Sequence, residues 1–545
     1  MRARGLSRFF GVLTLSTASF VACGPGESTM PPVTGVPKPA TTTTTTAKAS
    51  VSATPNPDAY LADLPKMADP KPVTPAKVFS IDTKVPLKAI GLASKNLPIV
   101  TISIVMRAGN AAAVTMGTGA KSKAGIADLT AELMKQGGAG RFTPSGLADH
   151  VDGLGADLSV DTSFDRVTFS IAVTKDKLDA ALEVLAAVVL HPKFDAKEFD
   201  KLKGRELDRV KQAQKSSGGW LARNALYREL FGPGHPYSEA DATEQTLGNI
   251  ALADVKDFYK KLYVTSNALV VVAGDIDQAD IAAKLDTHLK GFSTAAAPVI
   301  TFPAPAALTG KHVILALKPG SKQADVFVGM LGLPRKDERW PELAIAIHSL
   351  GGGMSARLFR DVREKRSLAY STNANARELA NGPSLVALYA GTQTAQAPQS
   401  VVALLENLSW ISGAQPVTPE ELAIAKVSLE TNFVYRLETI GSVAALAIDK
   451  EILQLPGADV YDYVASYRKT LHDATLEKVT KVANDELKNP GMVIAVAGDL
   501  ALAKPLSHFA SVRVVDPEKG FATISQLPED PKAPLDVVLD AAPTK

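Results

Sequence analysis

The chain is 545 residues long, 46% hydrophobic and 21% charged, which is length for two or more domains and an ordinary composition for packed cores. A formal net charge of +2 excludes a dedicated nucleic-acid binder, since no basic tract beyond the N-terminus could track phosphates.

At the N-terminus, Arg2, Arg4 and Arg8 form a positive region ahead of an apolar stretch at 9–22, too short to act as a stop-transfer helix. The stretch runs into Ala22, Cys23 and Gly24, and Cys23 is the only cysteine of the chain. A small residue before a lone cysteine here resembles a bacterial lipoprotein processing site; the alternative is an ordinary cleaved signal peptide. Lipidation at Cys23 ranks first because the rest of the chain avoids cysteine. Each buried acyl methylene contributes about 0.8 kcal/mol, so several chains would anchor the protein stably. The expected location is the bacterial cell envelope, facing the periplasm. No further apolar stretch of spanning length follows.

Residues 24–76 are rich in Pro, Thr, Ala and Ser, with an unbroken threonine run at 41–46. Such a segment cannot bury enough apolar area to offset chain entropy and reads as an extended tether. Next, 99–106 and 166–172 read as strands, and 126–134, 144–154, 176–190 and 196–213 as amphipathic helices. The strings NALVVVAGD at 267–275 and GMVIAVAGD at 491–499 are near copies, each a buried strand closed by Gly-Asp. Each follows a helix-patterned segment, 252–263 and 476–487. This predicts a duplication, with one half at 77–295 and another at 308–515. Helices alternating with strands, without a Rossmann glycine fingerprint, predict an α+β fold with helices on a mixed, mostly antiparallel sheet in each half. The tail at 516–545, rich in Pro and Asp, is expected to be irregular.

The string GGGMSARLFRDVREKRSLAY at 351–370 carries the most chemistry. Gly351, Gly352 and Gly353 follow an apolar helical stretch (Leu343, Ile345, Ile347, Leu350) and read as a helix stop whose backbone is free to adopt positive φ. A glycine-rich turn that opens a helix can hold anions or let a peptide backbone approach. From composition alone, the arginines that follow read first as a solvated helix face interspersed with Asp361 and Glu364.

The whole string closely resembles the C-terminal half of the pitrilysin/insulinase family of zinc peptidases, which includes the mitochondrial processing peptidases. Ala108-Gly109, His191-Pro192, His235-Pro236-Tyr237 and the strand ending in Asp275 stand where similar family landmarks do. The resemblance implies two α+β halves around a clam-shaped chamber, in which the first half supplies zinc and a base. It also implies that Arg363 and Tyr370, with the Gly351 to Gly353 loop, hold a bound peptide. The inverted zinc motif H-x-x-E-H is not matched. Aligning Gly125-Ile126-Ala127 with the residues preceding that motif puts Asp128 and Glu132 where two imidazoles should point at Zn2+. Ala131 then occupies the place of the glutamate that takes a proton from zinc-bound water, and it has no group to do so. The third ligand, roughly 75–80 residues onward in the family motif, falls near Arg209, a cation. Among the eight histidines no pair has helical ligand spacing. Asp128 and Glu132 share a helix face and could offer oxygens to a hard cation, but such ions usually need more oxygens than a pair supplies.

The leading expectation is therefore a non-catalytic, peptide-binding member of the family that holds no cofactor. It would pair with a separate zinc-bearing peptidase subunit and complete that subunit's chamber through Arg363 and Tyr370. One alternative is a stand-alone binding or structural lipoprotein; another is an active metallopeptidase with a variant metal site.

Overall fold

The computed structural model describes residues 75–239, 241–488 and 491–537. The signal-like segment, Cys23 and all of the tether up to residue 74 lie outside the described residues.

Thirteen strands form two sheets among the described residues. The first is built from β1 (Lys77–Ser80), β2 (Lys88–Ala93), β3 (Ile99–Met106), β4 (Leu158–Thr162), β5 (Val167–Thr174) and β6 (Ala268–Gly274), in the order β1-β2-β6-β3-β5-β4. Its helices are α1 (Ile126–Gln136), α2 (Pro144–Gly153), α3 (Leu178–Leu190), α4 (Ala196–Ser216), α5 (Gly218–Phe231), α6 (Glu244–Gly248), α7 (Leu252–Leu262) and α8 (Gln278–His288). The second sheet holds β7 (Gly310–Leu317), β8 (Gln323–Gly332), β9 (Ala369–Arg377), β10 (Ser384–Gln393), β11 (Gly491–Gly498), β12 (Val512–Asp516) and β13 (Ala522–Leu527), in the order β13-β12-β7-β11-β8-β10-β9. Helices α9 (Trp340–Gly351), α10 (Ala397–Ser409), α11 (Pro419–Arg436), α12 (Ile440–Ile452), α13 (Val460–Asp473), α14 (Leu476–Glu486) and α15 (Ala503–Leu506) belong to it.

Five strands repeat with one topology: β2-β6-β3-β5-β4 in the first sheet and β7-β11-β8-β10-β9 in the second. In both, the central strand pairs parallel on one side (β6 with β2, β11 with β7) and antiparallel on the other (β6 with β3, β11 with β8). The fold is α+β, with two related halves on mixed, mostly antiparallel sheets.

Why β6 and β11 are apolar throughout follows from what covers them. Val270 and Val272 face the helices of their own half, while Leu269, Val271 and Ala273 face Val443, Leu446 and Ala447 of α12, from the other half. Reciprocally, Ile494 and Val496 join the second half's core, while Val493, Ala495 and Ala497 pack with Trp220, Leu221 and Leu226 of α5. Because alternate residues of a strand point to opposite faces, a strand covered on both must be a continuous apolar run. Each half thus lends one helix to the other's sheet. Gly329 on β8 makes room for this: a Cβ there would meet Leu226 Cδ1 at 2.6 Å.

Polar contacts reinforce the seam. Asp449 on α12 pairs with Arg166 at 2.8 Å and also with Arg436. The Tyr237 hydroxyl donates to Asp165 at 2.5 Å, whose carboxylate also accepts from the Ala380 amide at 3.1 Å. Tyr237 is fully buried.

Two expectations need correcting. The tail is not irregular throughout: β12 ends at Asp516 and returns as β13, so residues 522–527 extend the second sheet by a strand. Gln214 of α4 donates to the Pro517 carbonyl at 3.1 Å, and this fastens the turn to the first half. The glycine triplet also works differently from expectation, since none of Gly351, Gly352 and Gly353 has positive φ. Gly351 is the last residue of α9, and a Cβ there would sit 2.2 Å from the backbone nitrogen of Ala374 on β9. Close packing of helix on strand is what requires that glycine.

Candidate functional site

Helix α1 starts from Gly125, which is left-handed at φ 95°, and packs against α4 and α7. The sequence alignment thus brought together elements that do meet. Ala131 is fully buried in the core. Asp128 is half-buried, and burial pushes its carboxyl up to about 6, with a hydrogen bond from Asn110 opposing the rise; Glu206 raises it further and Arg209 lowers it. Arg209 does act on Asp128 electrostatically, yet it makes no ion pair with it; its Nε donates to Glu206 on its own helix at 2.7 Å, and the side chain is half-exposed. Arg205, one turn earlier on α4, donates to Gln136 Oε1 at 2.6 Å, and Gln136 donates to Glu132 at 2.5 Å. Neither arginine forms a hydrogen bond or ion pair with Asp128 or Glu132.

These residues do not fit a zinc ion. Two carboxylates tied to amides, a buried methyl and a cation replace the imidazoles, base and third ligand that the motif requires. Among the described residues no group of three His, Cys, Asp or Glu side chains is close enough to hold a metal.

The segment after Gly353 is more telling, because its arginines have different partners. Arg357 is 10% exposed and chelates Glu421 with two N–H groups at 2.8 and 2.6 Å, while also donating to the Gln415 and Pro416 carbonyls. Arg360 lies 3.6 Å from the same carboxylate, and Arg366 pairs with Asp361 and Glu406. Arg363 has no carboxylate partner among the described residues. Its guanidinium lies 4.7 Å from the Phe359 ring centre and 5.0 Å from that of Tyr370. Aromatic faces attract a cation without consuming its hydrogen-bond donors. Tyr370 is 83% exposed at the start of β9, the edge strand of its sheet.

Arg363 and Tyr370 border a cavity of about 610 Å3, while Asp128, Glu132 and Arg209 do not. On its wall the Tyr389 hydroxyl donates to Asp325 Oδ1 at 2.6 Å. Burial holds the Asp325 carboxyl above its ordinary range and raises the Tyr389 phenol as well. Asp325 lies against the first turn of α5, where a Cβ on Gly218 would meet its Oδ2 at 2.1 Å. Sequence reasoning missed both Asp325 and Tyr389. An acid inside the otherwise apolar run of β8 and the Gly218-Gly219 doublet were the available signals. Gly352 and Gly353 are exposed beside Met354, whereas Gly351 is buried.

Comparison with known proteins agrees with this architecture. Residues 94–232 match the model of insulinase (peptidase family M16), and residues 249–429 match that of the peptidase M16 inactive domain, together more than half of the chain. The chain belongs to the insulinase family. Within it, the chain is 24% identical over 347 residues to an uncharacterized zinc protease of Streptomyces coelicolor, covering 63% of this chain and 74% of that protein. It is also 25% identical over 378 residues to a non-peptidase homolog of Helicobacter pylori, covering 68% of this chain and 82% of that protein. A solved peptidase M16 inactive domain from Pseudomonas fluorescens superposes with a TM-score of 0.70 at 23% identity, over 78% of this chain and 98% of the other. This insulinase-family member lacks the family's zinc motif.

Proposed function

We propose that this chain is a non-catalytic, peptide-binding subunit that works with a zinc-bearing relative in the bacterial envelope, held there by a lipid on Cys23. The zinc would be the partner's. The observation that carries this reading is Arg363: alone among the arginines of its string it is left unpaired, and it is held by two rings at the rim of a cavity. Its planar donors suit a peptide carbonyl or a developing oxyanion, and Tyr370 adds a neutral donor beside it. Arg357, Arg360 and Arg366 each pair with a carboxylate, and Arg363 does not.

The test is paired. With the zinc-bearing subunit co-purified from native membranes, Arg363→Ala and Tyr370→Phe should each cut peptide processing by about ten- to a hundredfold, since a charged hydrogen bond contributes about 1.5–3 kcal/mol. Melting temperature and subunit assembly should stay at wild-type values. Full activity in both variants would remove the peptide-binding role and favour the stand-alone lipoprotein. Chelator-sensitive hydrolysis by the homogeneous chain alone would place a metal site elsewhere in it.

A further inference from the structure

A second cavity, of about 760 Å3, opens at the seam between the halves. Its floor is formed by Arg228 of α5 and by Phe521, at the turn between β12 and β13. Arg228 is largely buried, and its guanidinium lies 5.0 Å from the Phe521 ring centre. Its Nε is fully buried without a partner, and the nearest carboxylate, Glu239, is 3.6 Å from NH1. No hydrogen bond from this side chain forms among the described residues, and burial depresses its basicity. The other charges at the cavity have partners: Glu239, which also lines it, accepts from the Ser122 hydroxyl, Glu229 is taken by Arg513 and by His312 at 2.8 Å, and Lys519 by Asp516 at 3.2 Å.

The loose ion pair with Glu239 offsets part of the charge, but a buried guanidinium whose donors make no hydrogen bond is still costly unless a further acceptor is supplied. Apolar lining accompanies the guanidinium, with Ile314 and Val515 from the second half joining Phe521. Phe521 itself sits at φ 65°, after Gly520 at φ 63°. A bulky residue in that region costs about 1–3 kcal/mol and persists only where its surroundings hold it, commonly at ligand sites.

We propose that the seam cavity binds a small amphipathic carboxylate, its head on Arg228 and its apolar body against Phe521, Ile314 and Val515. The volume suits a ligand of drug-like size. Bound there, such a molecule would touch both halves and stabilise their contact, which no single-half site could do.

Titration calorimetry with sodium octanoate, octanamide and inorganic phosphate on the full chain tests this. Octanoate should bind one-to-one and at least tenfold more tightly than either control. Arg228→Gln should bring octanoate down to the octanamide level while leaving octanamide unchanged. Equal affinity for octanoate and octanamide would overturn the proposal, and so would phosphate binding as tightly as octanoate, because the apolar wall would then contribute nothing. Should Arg228→Gln fail to fold, Ala306→Trp is the second variant. Ala306 is an exposed linker residue that lines the cavity, so a tryptophan there takes up part of its space without touching the core. Octanoate binding that survives Ala306→Trp would place the ligand elsewhere and sink the idea.

Discussion

Arg357, Arg360, Arg363 and Arg366 stand three residues apart in sequence, yet the fold uses them differently. Arg357 fixes the loop to α11 and Arg366 fixes it to α10, so the segment between is rigidly placed. That rigidity is what allows Arg363 to remain unpaired without collapsing onto a neighbouring acid. The string made this pair legible from the sequence, but which arginine was free depended on Glu421 and Glu406, residues distant along the chain. Asp128 gives a prediction on the same scale. Its carboxyl titrates at about 6 in the fold against an ordinary 3.8, so folding takes up a proton. The associated stability is fully present below 3.8 and is lost as pH rises through about 6. Asp128→Asn, which keeps an acceptor for Asn110, should therefore stabilise the protein by about 1–2 kcal/mol at pH 8, after discounting for partial solvent access, and hardly at all at pH 4. Urea unfolding at both pH values reads the difference directly. A gain independent of pH would mean that the acid is not the cause.

At the scale of elements, the sequence was most legible where a strand is buried on both faces. The repeats at 267–275 and 491–499 became β6 and β11 because no other environment tolerates so many consecutive apolar residues. The exchange of α5 and α12 was not legible. An apolar helix announces that it will be buried, but it does not say against which sheet. The edge strand β13 was missed for the opposite reason: its residues are exposed almost throughout, so no apolar alternation marks it. The glycine loop separates two roles that the sequence merged. Gly351→Ala should cost about 1–3 kcal/mol, because the new Cβ would press on the backbone of β9 and strain a packed core. Gly353→Ala should be neutral within about 0.5 kcal/mol, since open space surrounds that position. Thermal melts of the two variants settle the matter. Equal loss in both would show that the loop needs glycine for its backbone conformation after all.

For the whole molecule, the exchanged helices decide what can fold alone. Cutting the chain in the linker at 307–308 would strip α12 from β6 and α5 from β11. Leu269, Val271 and Ala273 on one side, and Val493, Ala495 and Ala497 on the other, would then face water. Fully burying a side chain of valine or leucine size contributes about 1.5–3 kcal/mol, and a domain's net stability is about 5–15 kcal/mol, so losing such a set leaves neither half a margin. Charged groups would lose partners at the same time, Arg166 from Asp449 and Glu229 from Arg513 and His312. The fragments 75–307 and 308–537 expressed separately should therefore be insoluble or loosely packed, with high dye binding. Co-expressed, they should associate into a soluble complex, because each carries the helix that the other lacks. The intact chain should unfold in one calorimetric transition, its van't Hoff and calorimetric enthalpies agreeing. Two resolved transitions, or a well-folded 308–537 fragment, would mean that the borrowed helices are ornaments on independent halves. A single transition would instead make any ligand at the seam a stabiliser of the entire fold, since it could bind only where both halves are in place.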